Sequence, residues 1–148
     1  MELWERFTDN ARQTVLNAQH EATRSQSEQI APAHLLLGLL EVRHGFAFDL
    51  LSDRIGDLAA FEMKLRGRLP TGEKAAPDEV SFAPESRFLL QRAYEEAKLL
   101  GSQYIRAEHL LLGLLADQET SALLAQHGVD LQEVRQVIAE EGHGHCAS

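Results

Sequence analysis

The stretch Ile30-Ala-Pro-Ala-His-Leu-Leu-Leu-Gly-Leu-Leu40 returns 75 residues later as Ile105-Arg-Ala-Glu-His-Leu-Leu-Leu-Gly-Leu-Leu115. The register holds without a gap from Phe7/Phe82 to Leu40/Leu115, and 14 of those 34 positions are identical. Such a doubled unit implies that neither copy buries its apolar face alone and that the two share one core. Two related surfaces on one core favour a binding module over an enzyme cleft.

Working outward, 148 residues suffice for one compact domain with a core that needs no staples. Hydrophobic residues make up 44% but aromatics only 6%, so the core is aliphatic. Leu, Ala, Glu, Gln and Arg dominate, all good helix formers, and strand-like alternation is absent. The net charge is -9 and uneven: residues 1–75 carry 9 basic and 11 acidic side chains, residues 76–148 carry 5 and 12. A surface of that sign repels phosphate backbones and anionic lipid, so neither a nucleic-acid nor a membrane role is expected. The single cysteine, Cys146, has no internal partner, which suits a reducing cytoplasm. The charged start Met1-Glu-Leu-Trp-Glu-Arg6 lacks the apolar stretch of a signal peptide. No apolar run approaches the roughly 20 residues that span a bilayer. The expectation is a soluble cytoplasmic protein.

In each copy a first helix carries a stripe of small residues: Ala11, Val15, Ala18 and Ala22, then Ser86, Leu90, Ala93 and Ala97. Asp9 reads as the N-cap of the first, and Pro84 lies near the start of the second, where a missing N–H costs nothing. Small side chains let two helix backbones approach closely, so these two long helices are expected to lie against their own repeat partners. The second helices, Pro32 to about Val42 and Ala107 to about Asp117, are apolar almost all round and hence buried. Gly38 and Gly113 interrupt them at the same place. A glycine costs a helix about 1 kcal/mol relative to alanine, so keeping it twice implies that another helix crosses there. Third helices are expected near Phe46–Arg54 and Ser121–His127, and fourth helices after the caps Asp57 and Asp130. The second copy is two residues shorter before its Leu123-Leu124 pair. The reading is one all-α domain over 1–148 with eight helices in two pseudo-symmetric fours. Repeat one covers 7–68, a connector 69–81, repeat two 82–141 and a flexible tail 142–148.

Three features carry a family resemblance: Glu5-Arg-Phe-Thr-Asp9, the repeated His-x-x-x-Gly-Leu helix, and Glu95-Glu-Ala-Lys-Leu-Leu-Gly-Ser-Gln-Tyr-Ile105. The chain resembles the N-terminal domain of Clp unfoldases, of the ClpC type, over roughly residues 3–140. The resemblance implies eight helices in two repeats, recruiting substrates and adaptor proteins for an attached ATPase ring that feeds a protease. The chain itself holds no Gly-x-x-x-x-Gly-Lys-[Ser/Thr] cradle for nucleotide phosphates and no Walker B strand. It reads either as a free-standing recruitment domain, the expectation here, or as a fragment of a longer unfoldase.

ClpC-type members carry Gly-Thr-Glu-His at the start of each second helix, and the resemblance implies a role for that glutamate in binding phosphorylated arginine. A helix N-terminus favours phosphate, and a carboxylate pairs with guanidinium. The second repeat reads Arg106-Ala107-Glu108-His109, keeping the glutamate and losing the glycine and threonine. The first reads Ala31-Pro32-Ala33-His34, losing the glutamate, and Pro32 removes a backbone donor. The first site is therefore expected to be dead, and Glu108, Arg106 and Ala107 to form the surviving candidate. The alternative for Glu108 is a first-turn acid complementing the helix dipole, worth about 0.3–1 kcal/mol.

His34 and His109 occupy equivalent positions, but nothing supplies a second metal ligand at i+4, and His20-Glu21 lacks the later histidine of a zincin helix. A ring bonded to a neighbouring backbone group is the expected role. His143, His145 and Cys146 on the tail are a weak metal signal, and no metal or other cofactor is expected. In relatives, the N-terminal edges of the two first helices form a groove for cyclic peptides and hydrophobic partner segments. The resemblance implies Trp4 and Phe82 as its anchors with Arg87 one turn on, while Phe7 reads as a staple beneath a helix start. No nucleophile sits in a Gly-x-Ser-x-Gly turn, and no acid–base pair stands out. The expected function is non-enzymatic binding of proteins or peptides in protein quality control. Expected partners are Clp unfoldase or protease subunits, adaptors, and damaged or arginine-phosphorylated clients, with cyclic peptides a further class.

Overall fold

The computed structural model describes residues 3–70, 72 and 80–144. After a 3-10 turn at Leu3–Arg6, repeat one contains α1 (Asp9–Arg24), β1 (Gln29–Ile30), α2 (Pro32–Leu40), α3 (Phe46–Ile55) and α4 (Leu58–Arg66). Repeat two contains β2 (Ser81–Phe82), α5 (Pro84–Leu99), α6 (Ala107–Ala116), α7 (Gln118–Ala125) and α8 (Leu131–Gly144). The eight-helix, all-α reading is what the structure has.

The two apolar helices form the centre. Every residue of α2 is buried, as is α6 from His109 to Leu115. The long helices lie across them, α1 on α2 and α5 on α6, each within its own repeat. At both crossings the glycine is the contact point. A Cβ built on Gly38 would stand 2.4 Å from the Thr14 carbonyl oxygen, and one on Gly113 would stand 2.6 Å from that of Leu89. Thr14 and Leu89 are themselves 75 residues apart, so the crossing is built twice in one geometry. The helices need bare backbone there, which outweighs glycine's poor helix propensity.

The halves are joined by a device that alternation could not signal, because each piece is at most two residues long. Ile30 of β1 pairs in parallel with Phe82 of β2, and Phe7 pairs in parallel with Ile105. These are the same two repeat positions, exchanged. The entry to each long helix is thus bonded to the strand-like residue before the other repeat's apolar helix. Further bonds add to the exchange: Ser86 Oγ and the Ala83 N–H donate to the Ile30 carbonyl at 2.5 and 3.0 Å, and the Thr8 N–H donates to the Ile105 carbonyl at 3.0 Å.

Several boundaries differ from the sequence reading. Thr8, not Asp9, is the N-cap of α1; its backbone is extended and its hydroxyl accepts from Ala11 N–H. The pairing of Phe7 with Ile105 holds the chain extended up to Thr8, and the helix begins directly after it, one residue earlier than an N-cap at Asp9 requires. α7 starts at Gln118 rather than Ser121, because the Asp117 carboxylate accepts from the N–H groups of Glu119 and Thr120. Asp117 ends α6 and begins α7, whereas residues 41–45 separate α2 from α3. That is where the second copy is shorter. Asp57 and Asp130 do cap the fourth helices, through Ala60 N–H and Glu133 N–H. Ser81, read as connector, belongs to β2; α8 continues to Gly144, past the 141 boundary read for repeat two. Most of the 69–81 connector, and Cys146 with His145 of the tail, lie outside the described residues.

Candidate functional site

The twin histidines are structural fastenings. His34 Nδ1 accepts the Ala31 N–H, and His109 Nδ1 accepts the Arg106 N–H, each at 2.9 Å. Each ring thus satisfies the backbone donor at the N-cap of its own helix, as the third residue of a capping box does. An accepting Nδ1 leaves the proton on Nε2, which for His34 lies 3.0 Å from Ser25 Oγ. Both rings are buried. Burial lowers the pKa of His34 to about 4 against an upward pull from Glu21. It lowers that of His109 to about 4 as well, assisted by Arg106 and opposed by Glu96. Neutral rings suit the bonds they make. Among the described residues no group of three His, Cys, Asp or Glu side chains is placed to hold a metal.

A second matched pair escaped the sequence reading, although both members are among the repeated identities. Glu21 and Glu96 are 1% and 0% exposed. The Glu21 carboxylate binds Arg66 at 2.6 Å and Arg24 at 3.2 Å. Glu96 accepts from Arg135 at 2.9 and 2.8 Å and from Arg92 at 2.9 Å. Burial alone would raise the Glu96 pKa, but the bonds to Arg135 and Arg92 outweigh it and hold the carboxyl below its usual value. Each glutamate ties its long helix to the last helix of the same repeat, α4 or α8. The arginines do not share a register, which hid the pattern.

The starts of α2 and α6 differ in their surroundings. Pro32 and Ala33 are buried, Ala33 being 1% exposed, so the first-repeat position is closed as well as lacking its carboxylate. Glu108 is half-buried in the first turn of α6, beside the half-buried N-cap residue Arg106 and above buried Ala107. Burial raises its pKa, countered by its own backbone N–H and by Arg106.

The aromatic candidates stand at the exchanged pairings. Trp4 is 42% exposed, its ring 5.4 Å from that of buried Phe7 and 5.7 Å from the Arg12 guanidinium. Phe82 is half-buried in β2 and packs on the core, and Arg87 is exposed near the start of α5. Among the described residues the ring contacts of Trp4 are with Phe7 and Arg12, and none reaches Phe82 or Arg87.

A further concavity was not read from the sequence at all. Beside the α5–α6 crossing lies a cleft of about 340 Å³, floored by buried Leu89 and Gly113, with exposed Ala116 also in its lining. Phe88 lines it with 76% of its surface exposed, and exposed Glu85 and Glu95 line it as well. At the matching place in repeat one, Asn17 Nδ2 donates to the Gly38 carbonyl at 3.1 Å and Gln13 Nε2 donates to Asn17 Oδ1 at 2.8 Å. Phe88 and Arg92 are the counterparts of Gln13 and Asn17, and Arg92, in the lining of the cleft, is paired with Glu96. The signal was present as two mismatches flanking a matched glycine.

The chain matches the family model of the Clp repeat (R) N-terminal domain over residues 6–125 and 89–144. It is 37% identical over 125 residues to an uncharacterized protein of Mycobacterium tuberculosis, covering 84% of this chain and 49% of that protein. It is 33% identical over 148 residues to the chloroplastic ClpA homolog CD4B of Solanum lycopersicum, an ATP-binding subunit of an ATP-dependent Clp protease. That match covers 98% of this chain and 16% of the relative. The chain thus spans about half the length of the first and a sixth of the second. Among solved structures, the Hsp104 N-terminal domain from Candida albicans has the same fold, with a TM-score of 0.76 at 24% identity over 92% of this chain and 91% of that one. With its doubled helical unit and these matches, the chain belongs to the Clp repeat N-terminal domain family.

Proposed function

We propose that this chain is a non-catalytic binding module that recruits or sequesters proteins and peptides in protein quality control. One observation carries the reading: the side chains best suited to chemistry are engaged in construction. His34 and His109 fasten N-caps, and Glu21 and Glu96 anchor helices through arginines. What remains for a partner is surface, including Trp4, Phe88 and Glu108. Cytoplasmic action fits; among the described residues no helix is long and apolar enough to cross a membrane.

Within this reading Glu108, with Arg106 and Ala107, is the candidate contact for arginine-phosphorylated clients, the carboxylate taking the guanidinium and the N-terminus of α6 the phosphate. Pro32 and Ala33 mark the lost counterpart. Trp4, Phe82 and Arg87 are the candidates for hydrophobic partner segments and cyclic peptides. Clp unfoldase or protease subunits and adaptors are the expected macromolecular partners. A free-standing module is the first form of the proposal. The second is the N-terminal portion of a ClpC-type unfoldase, which the chloroplast relative favours.

A cross-linked pull-down from lysate, with the whole chain as bait, tests the reading. Clp subunits or damaged proteins are the expected catch, and recovery of neither would remove recruitment. Calorimetry with a phosphoarginine peptide tests the finer assignment, since equal heats for wild type and Glu108→Ala would take Glu108 out of the site.

A further inference from the structure

We infer that the cleft beside the α5–α6 crossing is a docking site for an extended peptide segment, one with an apolar anchor residue bracketed by two basic residues. The inference rests on the binding-module reading and assigns that module a surface and a ligand chemistry of its own.

Three properties of the cleft determine the occupant. Its floor is apolar and rigid, because Gly113 and Leu89 meet there at backbone contact distance. Its rim is acidic: Glu85 and Glu95 are exposed, and among the described residues no ion pair engages either. The cation in the lining, Arg92, is committed to Glu96 at 2.9 Å. Phe88 supplies a large, exposed aromatic face, and rigid aromatics give contact area at small entropy cost. An apolar segment carrying like negative charge would be repelled, whereas lysine or arginine beside the anchor would be attracted.

Helical geometry sets the spacing. Glu85 and Glu95 are ten positions apart, about 15 Å along α5. An extended chain covers that in about four to five residues. Phe88 lies between them, so the anchor falls between the two basic positions. A cleft of about 340 Å³ holds one or two apolar side chains, at the small end of the range for ligand sites. Repeat one offers no second copy of the site, because Gln13 and Asn17 occupy the equivalent ground and bond over Gly38.

The test is fluorescence anisotropy on the full chain, with a labelled octapeptide holding a central Leu-Phe pair between arginines five positions apart. The wild type should bind it, more weakly as salt is raised. Phe88→Ala should weaken binding about tenfold and the double variant Glu85→Gln/Glu95→Gln about fivefold, while Gln13→Ala changes nothing. All these side chains are exposed or half-buried, so the fold survives their replacement. Equal affinity for wild type and both cleft variants overturns the proposal, as does equal binding of a peptide with glutamates in place of the arginines. Loss of binding in Glu108→Ala or Trp4→Ala but not in Phe88→Ala also overturns it, while leaving the binding-module reading intact. No binding by the wild type removes the cleft as a site for such a peptide, and the lysate pull-down then judges the broader reading by itself.

Discussion

At the α1–α2 crossing a glycine meets a helix backbone beneath two amide side chains that bond to each other, one of them also to the glycine carbonyl. At the α5–α6 crossing an identical glycine meets an identical helix position beneath a phenylalanine and an arginine, and a cleft stands open. The difference teaches how a duplicated scaffold acquires one-sided function. Buried matches such as Gly38/Gly113, His34/His109 and Glu21/Glu96 are under packing constraints that both halves share. The mismatches at exposed Gln13/Phe88 and half-buried Asn17/Arg92 lie outside that constraint, and they decide whether a surface is sealed or available.

The largest effect expected is common to both halves. His34 and His109 have folded pKa values of about 4, below the ordinary 6.5, so the folded state holds them neutral. Their contribution is fully present above pH 6.5 and is lost as pH falls from 6.5 to 4, where only the unfolded chain takes up the protons. Each ring should then cost about 3 kcal/mol of stability by pH 4. Urea melts between pH 7 and 4 would check this, and His34→Gln should roughly halve the slope. An unchanged slope would mean that the rings titrate as in the unfolded chain.

Next come the crossings. Gly38→Ala drives a Cβ against two backbone atoms, Thr14 O at 2.4 Å and Ala18 N at 2.8 Å, and should cost about 3 kcal/mol. Gly113→Ala meets one backbone oxygen and the adaptable Leu89 side chain, and should cost about 2 kcal/mol. Denaturant midpoints in the reverse order would break the ranking of the two sites.

The buried carboxylates separate the halves further. Glu96 accepts three guanidinium bonds from arginines that are 42% and 34% exposed, whereas the partners of Glu21 are 61% and 44% exposed. Solvent around the arginines reduces the loss below that of a fully buried pair. Glu96→Ala should therefore cost about 2 kcal/mol and Glu21→Ala about 1 kcal/mol, read as shifts in thermal midpoint.

The smallest effects bear directly on the sealed and open surfaces. Asn17→Ala removes a half-buried bond to the Gly38 carbonyl and should cost about 1 kcal/mol. Phe88→Ala should stay within about 0.5 kcal/mol of wild type, since the ring is 76% exposed. A large loss on Phe88→Ala would make that ring a support of the fold.

Much of this was legible beforehand for a physical reason. Helical periodicity, repeated glycines and capping aspartates are local signals, and the doubled register amplified each by showing it twice. The N-cap of α1 was misplaced by one residue because the pairing of Phe7 with Ile105 reaches across 98 positions. The start of α7 was misplaced because Asp117 caps it with no intervening loop. Glu21 and Glu96 gave no signal of burial because the arginines that make it tolerable sit at unrelated register positions. Glu108 and Ala33 were readable as a contrast, and the burial of Ala33 followed from a second helix that is apolar almost all round.

From the residues in order, then, came the eight helices, their division into two fours, and the twin crossings, because periodicity and small-residue spacing act within a single helix. The exchange of strand pairings between halves, the burial of paired glutamates and the opening of one crossing into a cleft came only with the tertiary structure. Each depends on which side chain reaches across to another segment, and that is fixed by distance in space rather than by position along the chain.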